Sequence, residues 1–203
     1  MKRRQGCVIA VLLVALSAIA QESTLKPTLT DTPLTADQIA VYRAVLAEYL
    51  RGSDRVLNLA DVTEPIDESD RSCLGGMGAS RLEETAPVIH RIDRAVVADT
   101  KTVIVSPDRQ REAVRQRDPD NLLTNSLQTG QKPTDEQLDT AVQNALNGGL
   151  FQLSEIVFDK EHREAVVSYS FVCGGLCGTG NTLLLRKVGP RWKVAKRCGG
   201  WVS

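Results

Sequence analysis

The sequence predicts one α+β domain in which N-terminal and central helices pack on a C-terminal four-stranded antiparallel meander. Three observations lead there. Two segments of helical period open on the same capping chemistry, Thr35-Ala36-Asp37-Gln38 and Thr134-Asp135-Glu136-Gln137. From Phe151 onward, runs rich in Val, Leu, Tyr and Phe alternate with turn signals. Two of those runs are joined by Cys173-Gly174-Gly175-Leu176-Cys177-Gly178-Thr179-Gly180, whose four glycines offer the positive φ that a hairpin loop demands.

The chain opens with Lys2, Arg3 and Arg4, an apolar run from Val8 to Leu16, and Ala18-Ile19-Ala20. That order is a secretory signal over residues 1–20, cleaved after Ala20, and the run to Ala20 is well short of the roughly 20 residues a bilayer span needs. Export to the periplasm or the extracellular space follows, and no apolar stretch after Ala20 is long enough to cross a membrane. Removing the signal takes three of 25 basic residues and none of 25 acidic ones, which leaves the mature chain slightly acidic. Together with the lack of a basic run, this argues against nucleic acid as a partner.

Residues 21–34 read as an extended lead-in, Thr- and Pro-rich with little apolar content, and 35–203 as the single domain. Leu34 is placed to staple onto Ile39, and Ile39, Tyr42, Leu46 and Tyr49 or Leu50 share one face of a helix from Ala36 to about Arg51. Val56 to Val62 alternates as a strand, closed by Pro65 and an acidic loop through Asp70. Glu83 to Val97 carries Val88, Ile89, Ile92 and Val96 at helical spacing, Lys101 to Val105 reads as a strand, and Ser106-Pro107-Asp108 opens a charged helix. Residues 118–133 are polar without a clear period and read as a loop. Leu138, Val142, Ala145 and Leu146 then line the helix that follows Thr134, up to Gly148-Gly149.

The meander is expected as Phe151 to Phe158, Glu164 to Cys173, Asn181 to Val188, and Trp192 to Cys198 or beyond. With Cys173 opposite Asn181, Phe171 pairs with Leu183 and Tyr169 with Leu185, and these join Val194 on one core face. The other face would carry Ser168, Ser170, Arg186, Lys193 and Arg197.

Cys73, Cys173, Cys177 and Cys198 remain in the mature chain. An even count in an oxidising compartment favours disulfides, with three pairings open. The short glycine-rich loop favours Cys173 with Cys177, and elimination then leaves Cys73 with Cys198. A catalytic thiolate at Cys173 or Cys177 would need a histidine base, and nothing in the sequence places His90 or His162 beside it. The spacing is not that of a thioredoxin-type Cys-x-x-Cys, and Gly178-Thr179-Gly180 completes neither a dinucleotide fingerprint nor a P-loop. Asp61, Glu64, Asp67, Glu68 and Asp70 lack the spacing of an EF-hand loop. No catalytic, cofactor or metal set emerges.

The strand ending in Cys173-Gly174-Gly175-Leu176-Cys177-Gly178, the run Leu183-Leu184-Leu185-Arg186-Lys187, Arg191-Trp192-Lys193-Val194 and Trp201-Val202-Ser203 together resemble a family of secreted bacterial proteins with no assigned activity. The resemblance covers residues 150–203 and, faintly, 36–75, and it implies no catalytic residues. The helix-then-meander order is similar to cystatin-like and nuclear-transport-factor-like folds, which host enzymes and binders alike. The expected function is an exported, non-catalytic module binding a small molecule or a protein. The alternative is a small hydrolase or thiol-dependent enzyme using the Cys173/Cys177 loop.

Overall fold

The structure is a computed structural model, and it describes residues 27–71, 73, 88–98 and 100–203. The expected signal, most of the glycine loop after Cys73 and the start of the helix expected over 83–97 lie outside the described residues.

Both capping boxes form. In α1 (Ala36–Tyr49) the Thr35 hydroxyl accepts from the Gln38 amide at 3.2 Å, and the Gln38 side chain accepts from the Thr35 amide at 2.8 Å. Thr134 and Gln137 repeat this at the start of α6 (Asp135–Gly148). The buried stripe of α1 is Val41, Tyr42, Val45 and Leu46, with Ile39 and Tyr49 at its margins.

The meander consists of β5 (Leu150–Leu153), β7 (Glu164–Gly174), β8 (Cys177–Val188) and β9 (Arg191–Val202), each antiparallel to the next. The sheet continues past β5 into β2 (Leu57–Ala60) and then β4 (Thr102–Val105), both paired in parallel. The result is a mixed sheet, mostly antiparallel, in an α+β fold. The strand expected from Phe151 to Phe158 is broken after Leu153. The Ser154 carbonyl accepts the Tyr42 hydroxyl at 3.0 Å and the Ser154 hydroxyl accepts the Ser168 amide at 2.8 Å. The chain therefore leaves the ladder there and resumes against β7 as β6 (Val157–Phe158).

The β7–β8 hairpin is tighter than expected, turning through Gly175 and Leu176 alone. Phe171 therefore faces Thr179, and Val167 and Ala165 face Leu183 and Leu185. The register has slid by an even number of residues, so every side chain keeps its predicted face. Phe171, Leu183 and Leu185 are buried, and Tyr169 and Val194 are partly buried against them. Arg197 is the correction. The register between β8 and β9 shifts twice, which leaves Cys198 and Ala195 without a partner as bulges. Arg197 thereby turns to the α1 side, where it pairs with Glu48 at 2.9 Å.

Two more expectations change. Val88–His90, placed in a helix by its spacing, forms strand β3 in parallel with β1 (Thr28–Thr30) inside the lead-in. Among the described residues of that segment, Arg94–Val97 is the helical part (α3), capped by Asp93 and anchored by the fully buried Val96. Here β-branched Val88 and Ile89 outweigh the helical period. The polar stretch after α4 (Pro107–Gln116) contains a helix, α5 (Asp120–Thr129), closed by Gly130 at φ 73°. Among its described side chains none is buried, so no apolar period announces it.

The inner face of the sheet packs on α1, α3 and α6 around Tyr42, Phe151, Leu153, Val167 and Leu185. The outer face carries two smaller clusters. One is Ala60 and Leu150 under Val114 of α4. The other is Val157, Val166 and Leu184 under Ile66 and Cys73, beside the one-turn helix α2 (Glu68–Arg71). Among the described residues no helix is long and apolar enough to cross a membrane.

Candidate binding groove on the outer sheet face

The glycines of the Cys173–Gly180 stretch do not serve the role expected of them. Among the described residues, the glycines at positive φ are Gly52, Gly130 and Gly189. Gly174 and Gly175 instead let the hairpin tip close on Asp118, whose carboxylate accepts the Gly175 amide at 2.6 Å. Gly178 and Gly180 admit Trp201. A Cβ on Gly180 would fall within the indole, and one on Gly178 would sit 2.9 Å from it. Trp201 is the direct β9 partner of Gly180, so its ring lies across the β8 backbone with one side packed on glycine. The residue is 46% exposed.

Beside that ring runs a groove of about 490 Å³. Its far wall is α2, which supplies Asp70. Ser168 of β7 donates its hydroxyl to Asp70 at 2.6 Å, Thr182 of β8 donates to the other carboxylate oxygen, and the two hydroxyls lie 3.1 Å apart. Asp67, Ser69, Asn181 and Lys196 add to the polar lining. Cys73 and Cys198 lie in the same wall, paired with each other at a Cα separation of 5.4 Å. Cys198 is a bulge residue of β9, so the bridge ties the segment after α2 to the sheet edge next to Trp201.

Cys173 and Cys177 pair across the hairpin tip at a Cα separation of 5.1 Å. Cys173 is 1% exposed and belongs to the inner core. The histidines sit in other clusters. His90 Nδ1 lies 2.9 and 3.0 Å from the two carboxylate oxygens of Glu155, and the His90 amide donates to Thr63 Oγ1 at 2.8 Å. His162 stacks on Phe158 with ring centroids 4.7 Å apart. Burial pushes the Tyr42 phenol well above its ordinary range, and the nearby Glu155 charge adds to this. Among the described residues, no three His, Cys, Asp or Glu side chains are grouped where they could hold a metal ion.

A second cavity of about 320 Å³ opens on the same outer face between α4 and the strands. Leu150, Val172 and Val114 form its apolar floor, and Gln152, Arg111 and Arg115 its polar rim. Glu64 stands at this rim, taking a hydrogen bond from Gln152 and a looser contact from Arg111 at 3.5 Å. Burial raises the Glu64 pKa, while Arg111 and Gln152 pull it down. A third cavity, about 540 Å³, lies away from the sheet between α5 and α6, with Asn121, Asn125, Gln137 and Asn144 in its lining.

Of the acidic run singled out in the sequence, the structure brings Asp67 and Asp70 to the groove and Glu64 to the second cavity. Sequence reading missed Trp201, Ser168 and Thr182 as a set. The available signal was Gly178-x-Gly180 on one strand and Gly199-Gly200-Trp201 on the next, small residues at period two facing an aromatic. No family model matches the chain, and neither a curated protein nor a solved structure matches it.

Proposed function

We propose that the protein is an exported binding module that holds a hydroxyl-rich, saccharide-type ligand in the outer-face groove, stacked on Trp201. The observation that carries this reading is the half-exposed indole lying flat on Gly178 and Gly180 beside Asp70, Ser168 and Thr182. Cross-strand packing on glycine accounts for the inner side of the ring. Its outer side presents a flat apolar surface next to fixed polar groups, the combination that a sugar's C–H face and equatorial hydroxyls require. Both Asp70 oxygens already accept hydroxyl protons, so the carboxylate is a fixed acceptor for binding and is not set up as an acid or a nucleophile. The two disulfides and the basic, apolar and small-residue order of residues 1–20 support export.

The test is a panel of insoluble polysaccharides for pull-down and soluble saccharides for tryptophan fluorescence, using the mature protein. Trp192 is buried, so emission changes on binding should vanish in Trp201→Phe combined with loss of retention. Trp201→Ala should weaken binding about tenfold or more, from lost contact area and stacking. Unchanged affinity in Trp201→Ala, or no saccharide bound at all, would overturn the reading. Intact mass of the secreted protein should begin at Gln21, and retention of Met1 would overturn the export step.

A further inference from the structure

We infer that the Trp201 groove and the Arg111 cavity are the two ends of one trough across the outer face, and that its ligand is an N-acetylated glycan chain of at least three units. This rests on the saccharide reading above and extends it to length and substituent. Gln152 of β5 pairs with Ser170 of β7, Ser170 with Gly180 of β8, and Gly180 with Trp201 of β9. Cross-strand partners share a face, so these four residues form one row running across the strands from one cavity to the other. The middle of the row is Ser170, a small partly exposed residue, while Gly180 lies beneath the Trp201 indole and so brings the ring one strand closer to it. Three interstrand spacings make the row about 14 Å long, the length of about three linked pyranose units.

The two ends differ in chemistry. At the Trp201 end a ring faces a sugar plane, with Asp70 and Lys196 within the same lining. At the far end the floor is apolar and the rim carries an amide and guanidinium groups, with Gln152 only 7% exposed. A bare hydroxyl face gains nothing from Leu150, Val114 and Val172. An acetamido group does, since its methyl fits the floor while its carbonyl meets the Gln152 and Arg111 donors. The Asp118 carboxylate holds the Gly175 amide, which fixes the hairpin tip as the wall of this end.

The experiment titrates the mature protein with chito-oligosaccharides of one to five N-acetylglucosamine units, alongside the matching cello-oligosaccharides, read by Trp201 fluorescence and calorimetry. Affinity should tighten by about tenfold or more between one and three units and level off beyond, with the N-acetylated series ahead. Ser170→Phe blocks the middle of the row. It should leave the single unit unaffected and remove the gain with length. Arg111→Asp, at an exposed helix position, should weaken the trimer and not the monomer, and it serves where Ser170→Phe fails to fold. Equal affinity for all lengths, or unchanged trimer binding in both variants, would overturn the trough while Trp201→Ala still reports on the groove. If no saccharide of either series binds, the groove reading itself falls.

Discussion

The two faces of the sheet are covered by different means. The inner face is buried under α1 and α6, long helices with complete capping boxes; α1 brings its whole apolar stripe to the core around Phe151, Phe171 and Leu185, whereas of the stripe expected on α6 Ala145 and Leu146 join it and Val142 is exposed. The outer face has α4 at one end and, over Val166 and Leu184, among the described residues, Ile66, Cys73 and Cys198 beside the four-residue α2. A single helical turn is marginal by itself, since nucleation costs more than so few hydrogen bonds return. The Cys73–Cys198 bridge supplies what local propensity does not, and on that face Trp201 stays 46% exposed. The inner face thus carries the larger core, while the outer face carries the groove proposed to take the ligand.

The sharpest test of that division compares the disulfides. Cys73–Cys198 spans 125 residues and holds the outer cover, whereas Cys173–Cys177 spans four within a hairpin already fixed by its ladder. On the chain-entropy account the first should contribute about 4–5 kcal/mol and the second about 2. Denaturant midpoints of the double variants Cys73→Ala/Cys198→Ala and Cys173→Ala/Cys177→Ala give the ranking. Only the first should also abolish Trp201-reported binding. Equal losses would mean that α2 is held by packing and not by the bridge.

Neighbours on one strand provide the next comparison. Phe171 points inward, 5% exposed, against Tyr49 and Gly149, while Ser170 points outward into the trough row. Truncating Phe171 to Ala should cost about 3–5 kcal/mol. Ser170→Ala should stay within about 0.5 kcal/mol. Similar losses from both would break the assignment of the two faces.

Much of this division is legible in the sequence, for identifiable reasons. Period-two alternation places Phe171, Leu183 and Leu185 on one face whatever the register, because a slip by an even number of residues changes partners but not sides. Capping boxes are local chemistry and were read correctly at Thr35 and Thr134. Arg197 was misplaced because a bulge reverses parity and leaves no mark in the alternation. The parallel strands β2 and β4 were seen as strands, but their position beside β5 depends on crossovers that no local pattern encodes. The groove was the least legible part. Asp70 meets Ser168 and Thr182 from far along the chain, and Trp201 needs Gly180 opposite it. Such pairs exist only once strand order and register are set.

The smallest effect is electrostatic, and it has opposite sign on the two faces. Asp37, in the first turn of α1, accepts from Lys187 at 2.8 and 2.9 Å and from the Trp192 indole at 3.3 Å. The Lys187 hydrogen bond, chiefly, holds its pKa below the ordinary value of 3.8, against an opposing effect of burial. Folding therefore favours ionised Asp37, and its contribution is present above about pH 4 and lost as the pH falls through the lowered folded value. Glu64, on the outer face, is shifted the other way by burial from an ordinary value of 4.5. Folding favours its protonated form, so its contribution is present below about pH 4.5 and lost as the pH rises through the raised folded value. Both carboxylates are partly solvated, which keeps the effects small. Unfolding midpoints from pH 3 to 7 should show Asp37→Asn flattening the acid-side loss of stability. Glu64→Gln should instead raise stability relative to the parent on going from pH 4 to 7. If both substitutions bend the profile in the same direction, the two faces do not differ in how they treat charge, and Glu64 is better solvated than its place at the trough rim implies.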